Sequence, residues 1–554
     1  MPRMKPAFLK QHRGLLALLL AFLAVRLVLI ATWQSHADED DSAVGIMAIH
    51  VLKGHPHWAG YYGQAYANGE TVMAWLAAPW MAAIGIGVPG LRLGAVTISC
   101  ATLILVFVLA RREFGEKVAL ASAALFAFAT PLAEWHAKSR GGYVAMLFSI
   151  TLLYLLLFRT VFHDRRHPRD YAALGAVAAL TFWIQALALP HVACVVLILL
   201  ADAFSRRSFP GFAWFAAGAL VGLLPLALGP ELPHQSRGVA EVIRQNLDLA
   251  ALASPHDMIA VFTRKLPAFF MPQNADAIAA SIPATARLEC RKVLLLAAYL
   301  AWRERKGLLG LASSFALRCG VSESSSPRAV LIFALAFPLF AFVLGGRRAA
   351  TARYLLPIFP AAAICCALAV ADLAGWRDSD SPRPGLSAGR LIGIAFLSTL
   401  LALGVFSNLS MIGRNRVCEG VQTTPASGFT DVMSGGIHTT TVVRFLLAQN
   451  VTRVLAGNFL CSRLVFESGE RIIAAPPAHL SRVSGYDQQV QDADRIGLIF
   501  HERDFWSRVF IEWCGRDKAM QIGPYTVILL SEEQTQEFLE IRGSGRIIHL
   551  ADGY

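Results

Sequence analysis

Four consecutive acidic residues, Asp38 to Asp41, directly follow an apolar stretch near the N-terminus. A helix-like run begins at Ala43, so these acids can cap its first turn, where the helix dipole favours the ionised form. A carboxylate held in this way can accept the proton of a hydroxyl group, which is general base catalysis. The pattern predicts Asp40 or Asp41 as a catalytic base. The alternative interpretation is a solvated helix cap.

Aromatic and amide side chains follow the acidic run within the same polar segment. Tyr62, Gln64 and Tyr66 lie close together, and Glu70 comes shortly after them. Rings, amides and carboxylates are suited to holding sugar hydroxyls, because they combine apolar area with fixed hydrogen-bonding groups. We expect these four residues to bind a sugar.

A second polar loop, residues 131–142, lies between two apolar segments and contains Glu134, Lys138 and Arg140. Fixed cations at this depth complement the oxygens of a lipid phosphate. The loop predicts Lys138 and Arg140 as phosphate ligands, with the carboxylate of Glu134 beside them. The alternative is an ordinary loop that contacts lipid headgroups.

A third motif, Arg353-Tyr354, precedes a late apolar segment and is basic on a side of the membrane where basic residues are uncommon. An anionic substrate would explain it, and lipid headgroups would explain it too. We expect Arg353 and Tyr354 to contact the substrate.

A metal ion is a further option for this chemistry. The carboxylate oxygens of Asp40 and Glu134 would suit a divalent cation, Mg²⁺ or Mn²⁺. The fixed cations of the second loop could stabilise a departing phosphate without a metal.

The composition is that of a membrane protein. The chain has 554 residues, of which 55% are hydrophobic and 16% charged, and its mean hydropathy is +0.51. Disordered and collagen-like chains are excluded, because the first need low hydrophobicity and the second need glycine at every third position. The net charge is +12, and the basic excess lies in the hydrophobic part, where it orients helices. Nucleic acid is therefore not expected as a partner.

Apolar runs predict eleven transmembrane helices with the N-terminus inside. The run at 71–88 is treated as an interfacial helix on the outer surface, because a crossing there would place the basic loops after 110 and 162 outside. The remaining spans fall at 14–33, 91–110, 117–132, 143–162, 170–188, 190–204, 211–229, 290–303, 329–345, 354–374 and 390–409.

Two domains are expected: a transmembrane domain over 1–410 and a soluble α/β domain over 411–554 on the outer face. The transmembrane domain has outer loops at 34–90, 131–142 and 230–289. The soluble domain alternates strand-like runs near 453, 471, 495 and 525 with helix-like runs near 441, 459 and 532. The linkers 303–328 and 376–389 are expected to be plain connectors. The tail contains Cys418, Cys461 and Cys514, so one disulfide can form there, in a pairing that spacing does not define.

The order of these motifs resembles the GT-C fold glycosyltransferases. The motifs are an acidic pair after the first span, Tyr-Tyr-Gly-Gln-x-Tyr at 61–66, an interfacial segment closing on 91–93, a basic helix end at 110–115, a short loop with an acid, and Arg-Tyr-Leu-Leu-Pro at 353–357. Specifically, the chain resembles the bacterial branch related to protein O-mannosyltransferases and lipid A aminoarabinose transferase. The resemblance covers about residues 10–375 and, more loosely, the tail.

The resemblance implies a bacterial inner-membrane enzyme with a cytoplasmic N-terminus and a periplasmic C-terminal domain. Such an enzyme moves one sugar, with inversion, from a polyprenyl-phosphate donor to a hydroxyl of a glycan, lipid or protein acceptor. By this resemblance, the first-loop acid of the family corresponds to Asp40. The family's Asp-Glu pair itself occurs in this chain as Asp38-Glu39. The second-loop acid falls on Glu134, where relatives often have Asp, and Arg353 becomes the donor-phosphate contact.

Two other functions are compatible with a polytopic chain. A lipid or solute transporter would use charges inside the membrane, and Arg26 in the first span is such a charge, although pairing with a neighbouring helix explains it equally well. Against a transporter, the acids lie outside the helices and the chain has no repeated halves. A non-catalytic scaffold would leave both acidic loops unexplained.

Overall fold

A computed structural model describes most of the chain. The described residues are 12–32, 37–56, 68–129, 132–133, 135–163, 167–225, 284–315, 321, 325–344, 352–376, 388–410, 420–423, 430–433, 438–477, 483, 485–502 and 504–544. Up to residue 410, the described residues are mainly helical. The helices are α1 Arg13–Thr32, α2 Glu39–Leu52, α3 Gly69–Ile84, α4 Val88–Phe114, α5 Glu116–Ala127, α6 Tyr143–Phe162, α7 Pro168–Ile184, α8 Leu189–Ser205, α9 Pro210–Gly222, α10 Ala284–Arg303, α11 Arg305–Phe315, α12 Pro327–Leu344, α13 Phe359–Leu373 and α14 Ala388–Ser410.

Every predicted span overlaps a helix in the described residues, and the fold class is confirmed. Within the described ranges, six helical stretches are long and apolar enough to cross a membrane, so the number eleven stays a prediction. Helix α3 has 16 residues, about 24 Å at 1.5 Å per residue, which is short for a span. The expectation of a plain linker at 303–328 was wrong, because α11 forms there.

Polar contacts bring together the helix ends that the topology assigns to the inside. At the start of α1, His12 Nδ1 lies 3.0 Å from the Arg111 side chain near the end of α4. Glu113 lies 2.6 Å from His163, at the end of α6. In the later helices, Arg328 contacts Asp372 at 2.7 Å and Glu304 at 3.0 Å. These contacts agree with the predicted alternation of helix directions.

Small residues set the spacing between α7 and α9, which pack closely. A Cβ atom on Gly175 would overlap the carbonyl of Phe215, and one on Gly218 would overlap the carbonyl of Ala172. Membrane helices associate through such small residues, because lipid gives no hydrophobic driving force between them. These glycines therefore fix how closely the two backbones approach.

The C-terminal region contains a two-stranded ribbon and a five-stranded sheet. The ribbon pairs β1 Gly420–Thr423 with β2 Thr430–Met433 in antiparallel fashion. The sheet has the order β4-β3-β5-β7-β6, with β4, β3 and β5 parallel and β7 and β6 antiparallel to their neighbours. Its strands are β3 Arg453–Ala456, β4 Ile473–Ala475, β5 Gly497–His501, β6 Ala519–Ile522 and β7 Tyr525–Leu529.

In the described part of this region, five helices alternate with the strands, as the sequence predicts. They are α15 His438–Ala448, α16 Asn458–Glu467, α17 Tyr486–Gln491, α18 Phe505–Cys514 and α19 Glu532–Gly543. Strands β3 and β5 are buried almost throughout, as expected for central parallel strands. Cys461 and Cys514 are buried and are not paired with each other, and Cys418 lies outside the described residues. Helix α16 packs against α2 and so joins this region to the transmembrane domain.

Candidate active site

Helix α2 begins at the acidic run. Asp38 is its N-cap, with extended backbone, and its Oδ1 accepts a hydrogen bond from the Asp41 backbone N–H at 2.9 Å. This is the local reason that the helix starts here, because an N-cap side chain satisfies a backbone donor that the helix cannot pair. Glu39, Asp40 and Asp41 therefore form the first turn of α2.

The second loop is held against the helices around it. Its residues Trp135–Ala137 and Arg140–Gly142 form two short 3₁₀ turns. Ser99 of α4 donates to the His136 carbonyl at 3.1 Å, and the Ser139 hydroxyl donates to the Leu91 carbonyl at 3.1 Å. The loop is thus fastened to α4 at two points.

Two further contacts fix the ends of this loop. Arg26 of α1 is fully buried and donates to the carbonyls of Ala127 and Ala133, so the charge in the first span has a structural partner. At the other end, Gly142 has φ +67°, and a Cβ atom there would overlap the backbone of Gly69 at the start of α3. The backbone of α3 therefore lies directly on the loop.

Charged side chains of the loop meet the acids of α2. Arg140 Nε lies 2.8 Å from Asp40 Oδ2, and Arg140 Nη1 lies 3.5 Å from Asp38 Oδ2. Lys138 Nζ lies 3.3 Å from the same Asp38 oxygen. The backbone N–H of Ser139 donates to Asp41 Oδ1 at 2.8 Å. Residues about 100 positions apart in the chain are thereby joined in one cluster, which we call the acid–base cluster: Asp38, Asp40, Asp41, Lys138, Ser139 and Arg140.

The aspartates of the cluster have different environments. The Asp40 side chain is 28% exposed and that of Asp38 is 22% exposed, whereas Asp41 is buried. Burial opposes ionisation of Asp38, but the charges of Lys138 and Arg140 outweigh it and hold its pKa well below the usual range. Burial and the neighbouring charge of Asp38 raise the pKa of Asp41 to about 7. Asp40 is thus the most exposed carboxylate of the three.

The structure describes the remaining predicted site residues to different extents. Glu70 is buried in the first turn of α3, next to the point where Gly69 touches the loop. Arg353 and Tyr354 belong to the 3₁₀ segment Ala352–Ile358, which packs against α6 and α12, and their side chains are not described. Tyr62, Gln64, Tyr66 and Glu134 lie outside the described residues.

Sequence reasoning missed two contributors to the cluster. The backbone N–H of Ser139 has no sequence signal, because any residue except proline supplies one. Arg92 is buried near the start of α4, and its positive charge favours ionised Asp41. A buried arginine beside an outer loop is costly unless paired, and this could have suggested a role.

The described side chains do not by themselves form a site for a divalent cation. Within those ranges, no three His, Cys, Asp or Glu side chains converge in the manner of a metal site. Lys138 and Arg140 already lie against the carboxylates that would have to bind the ion. The pairing of Asp40 with Glu134 around a metal stays a prediction, and no step below depends on a metal.

Comparisons with known proteins agree with this architecture. Residues 70–228 match the family model described as dolichyl-phosphate-mannose-protein mannosyltransferase. No curated protein matches the chain. Among solved structures, ArnT from Cupriavidus metallidurans bound to undecaprenyl phosphate is similar, with a TM-score of 0.57 and 14% identity over 92% of this chain and 97% of that chain.

The apo state of the same ArnT gives a TM-score of 0.51 and 13% identity, again over 92% of this chain and 97% of that chain. The structural likeness extends beyond the part matched by the family model and includes the C-terminal region. The chain therefore shares the GT-C fold of ArnT, and its residues 70–228 are similar to the mannosyltransferase family, in agreement with the resemblance that the loop motifs carry.

Proposed function

We propose that this protein transfers one sugar from a polyprenyl-phosphate donor to a hydroxyl of an acceptor at the outer face of the membrane, with inversion. The observation that carries the proposal is the acid–base cluster, in which Arg140 lies 2.8 Å from Asp40 and Lys138 lies 3.3 Å from Asp38. A transfer of this kind needs both a base for the acceptor and cations for the leaving phosphate.

Asp40 is the proposed general base. An acceptor hydroxyl is a poor nucleophile at neutral pH, so its proton must leave as its oxygen attacks the anomeric carbon. Asp40 is the most exposed aspartate of the cluster, and both the start of α2 and Arg140 favour its ionised form. Asp38 is less suited to accept a proton, because its pKa is held low. Asp41 is buried and is the competing candidate.

Lys138 and Arg140 are the proposed partners of the leaving group. As the acceptor oxygen bonds to the anomeric carbon, the bond from that carbon to the phosphate oxygen breaks, and the electron pair remains on the phosphate. The ammonium and guanidinium groups have several N–H donors, so they can hold phosphate oxygens while they contact the aspartates. Attack opposite the leaving phosphate inverts the anomeric centre.

The remaining sequence candidates complete the proposal. Arg353 and Tyr354 would contact the donor phosphate, and Tyr62, Gln64, Tyr66 and Glu70 would hold sugar hydroxyls. The ArnT structure with undecaprenyl phosphate supports a polyprenyl-linked donor, because this chain shares its fold. The family description supports a sugar as the transferred group.

The proposed orientation places the acid–base cluster and the C-terminal domain in the periplasm of a bacterial inner membrane. It rests on the basic residues at the opposite helix ends, among them Arg111 and Arg112, which are retained in the cytoplasm. Reporter fusions at residue 115 and after residue 554 test it. We expect a cytoplasmic signal at 115 and a periplasmic one after 554, and a periplasmic signal at 115 would refute the orientation.

The function itself is tested by donor use. Membranes that contain the protein are incubated with a panel of polyprenyl-phosphate sugars, each radiolabelled in the sugar, and membranes without the protein are the control. We expect one label to move onto a glycan, lipid or protein and to identify donor and acceptor together. If none of the labels moves, polyprenyl-phosphate sugars are not the donors and the proposed function is wrong.

A further inference from the structure

The C-terminal end of α2 is fastened to the soluble domain. Its last turn contains His50, and Lys53 is the C-cap. His50 Nε2 lies 2.6 Å from Glu470 Oε1, and Lys53 Nζ contacts Glu470 Oε2. Glu470 follows α16 in the turn that leads to β4, so residues about 420 positions apart meet here.

Glu470 is held in an uncommon conformation. Its φ is +63°, in the left-handed region that residues other than glycine rarely adopt. The carboxylate also accepts a hydrogen bond from the Tyr486 hydroxyl, and its side chain is only 8% exposed. A strained, buried carboxylate with three donors indicates that the surrounding structure determines where this group lies.

Apolar packing adds to the polar contact. The Phe466 ring of α16 is buried directly against Gly45 in the middle of α2, and a Cβ atom on Gly45 would overlap it. Because the ring packs directly on the glycine, rotation or translation of α2 would disrupt this contact. The soluble domain thus contacts α2 at its middle and at its C-terminal end.

We propose that Glu470 is a positioning residue for the acid–base cluster, acting from the soluble domain through helix α2. This inference rests on the proposed function. Helix α2 has 14 residues, about 21 Å at 1.5 Å per residue, and its N-terminal turn carries Asp40 and Asp41. A rigid helix held at one end by Glu470 has a defined position and rotation at the other end. The soluble domain is therefore a functional part of the enzyme.

The distances within the acid–base cluster depend on the position of helix α2. Asp41 accepts the Ser139 N–H at 2.8 Å, and Asp40 meets Arg140 at 2.8 Å. A displacement of about 1 Å at reacting groups lowers rates by about 100-fold. Loss of the Glu470 contacts should therefore slow the chemical step more than it weakens donor binding.

The test uses the purified full-length protein with Glu470→Ala and Glu470→Gln. Asp504→Ala is the matched control, because Asp504 is a buried carboxylate of the same domain that caps α18 and accepts from the Trp506 N–H. Two quantities are measured for each protein: amide hydrogen exchange of residues 39–52 and of Ser139, and kcat and KM for the donor.

We expect Glu470→Ala to speed exchange in α2 and at Ser139 by about tenfold, because the helix opens more readily. The same variant should lower kcat by about 10- to 100-fold with a donor KM within about twofold of wild type. Glu470→Gln, which keeps one acceptor oxygen, should fall between Glu470→Ala and wild type. Asp504→Ala should change neither α2 exchange nor kcat.

The inference is overturned if both Glu470 variants match wild type in exchange and kcat, or if Asp504→Ala reproduces their effects. If Glu470→Ala does not fold, the same criteria apply to Glu470→Gln alone. If the wild-type protein uses no donor, the proposed function fails. The exchange measurement still shows whether Glu470 holds α2 and Ser139 in place.

Discussion

Carboxylates lie next to cations at both ends of α2, but the ratio of carboxylates to hydrogen-bond donors differs between the two ends. At the C-terminal end, a single carboxylate, Glu470, accepts from His50, Lys53 and Tyr486. Burial opposes ionisation of Glu470, but these hydrogen bonds outweigh it and lower the pKa of Glu470 to about 2. At the N-terminal end, three aspartates crowd together, and the pKa of Asp41 is raised to about 7.

This difference indicates that the C-terminal contact is structural and that the N-terminal cluster is suited to catalysis. A carboxylate with several donors stays ionised over the whole physiological range and can only hold a position. Carboxylates packed together have pKa values that spread apart, as the lowered pKa of Asp38 and the raised pKa of Asp41 show, and such a spread is typical of catalytic sites. The N-terminal end of α2 is therefore where proton transfer is expected, and the C-terminal end is where the helix is fixed.

The largest effect is expected from Asp40→Asn. The amide keeps the shape of the side chain but removes its basicity, so sugar transfer should fall by about 100-fold or more, since general base catalysis contributes roughly 10²–10⁴. Transfer is measured at matched protein levels in membranes.

Asp38→Asn and Asp41→Asn test the two alternative assignments of the base. If Asp40→Asn transfers normally and Asp38→Asn does not, Asp38 and not Asp40 is the general base. If these variants and Glu134→Gln all transfer normally, the glycosyltransferase mechanism is wrong.

Removing a cation at each end of α2 compares the two clusters directly. Arg140→Ala should weaken donor use by about 10- to 100-fold, because a buried charged hydrogen bond contributes about 1.5–3 kcal/mol. Lys53→Ala should have little effect, because the Lys53 side chain is 53% exposed and exposed ion pairs contribute about 0–1 kcal/mol. The measurement is kcat/KM for the donor. Equal losses in the two variants would contradict the distinction drawn between the ends.

Arg353→Ala tests a residue whose side chain the structure does not describe. If Arg353 contacts the donor phosphate, its loss should weaken donor use by about 2–4 kcal/mol and leave acceptor choice unchanged. Donor KM and kcat are measured with two acceptors. An unchanged donor dependence would remove Arg353 from the site.

Gly142→Ala tests the junction between the second loop and α3. A non-glycine residue in the left-handed region costs about 1–2 kcal/mol, and at Gly142 the Cβ atom would also overlap the backbone of Gly69. Gly54→Ala is the control, because Gly54 has φ +81° and open space around it. Thermal unfolding should show a larger loss for Gly142→Ala, and equal losses would contradict the close contact.

The smallest effect concerns the pH dependence of stability. The pKa of Asp41 is about 7 in the folded protein, above its ordinary value of 3.8. Its protonation therefore stabilises the fold fully below about pH 4, and this contribution is lost as the pH rises to about 7. Asp41→Asn removes the titration, so it should raise the unfolding temperature relative to wild type more at about pH 8 than at about pH 5. An equal change at both pH values would contradict the raised pKa.

Local patterns in the sequence predict most of the fold. Apolar runs place the membrane helices, and the strand-like run at 453–456 forms β3 as predicted, because periodicity and burial are local signals. Asp40 of the first predicted loop and Arg140 of the second meet in the fold, so the sequence selected two segments that tertiary structure brings together. The contact of Glu470 with α2 could not be predicted, because residues 50 and 470 share no local pattern and meet only through the tertiary fold.

Donor cleavage in proteoliposomes tests the central claim most directly. Purified protein is reconstituted with a polyprenyl-phosphate sugar and acceptor, and two quantities are followed together: release of free polyprenyl phosphate and movement of intact donor across the bilayer. We predict release of polyprenyl phosphate by the wild-type protein, at a rate at least about 100-fold above that of Asp40→Asn. Movement of intact donor without its cleavage, equal in both proteins, would contradict the account and identify a transporter.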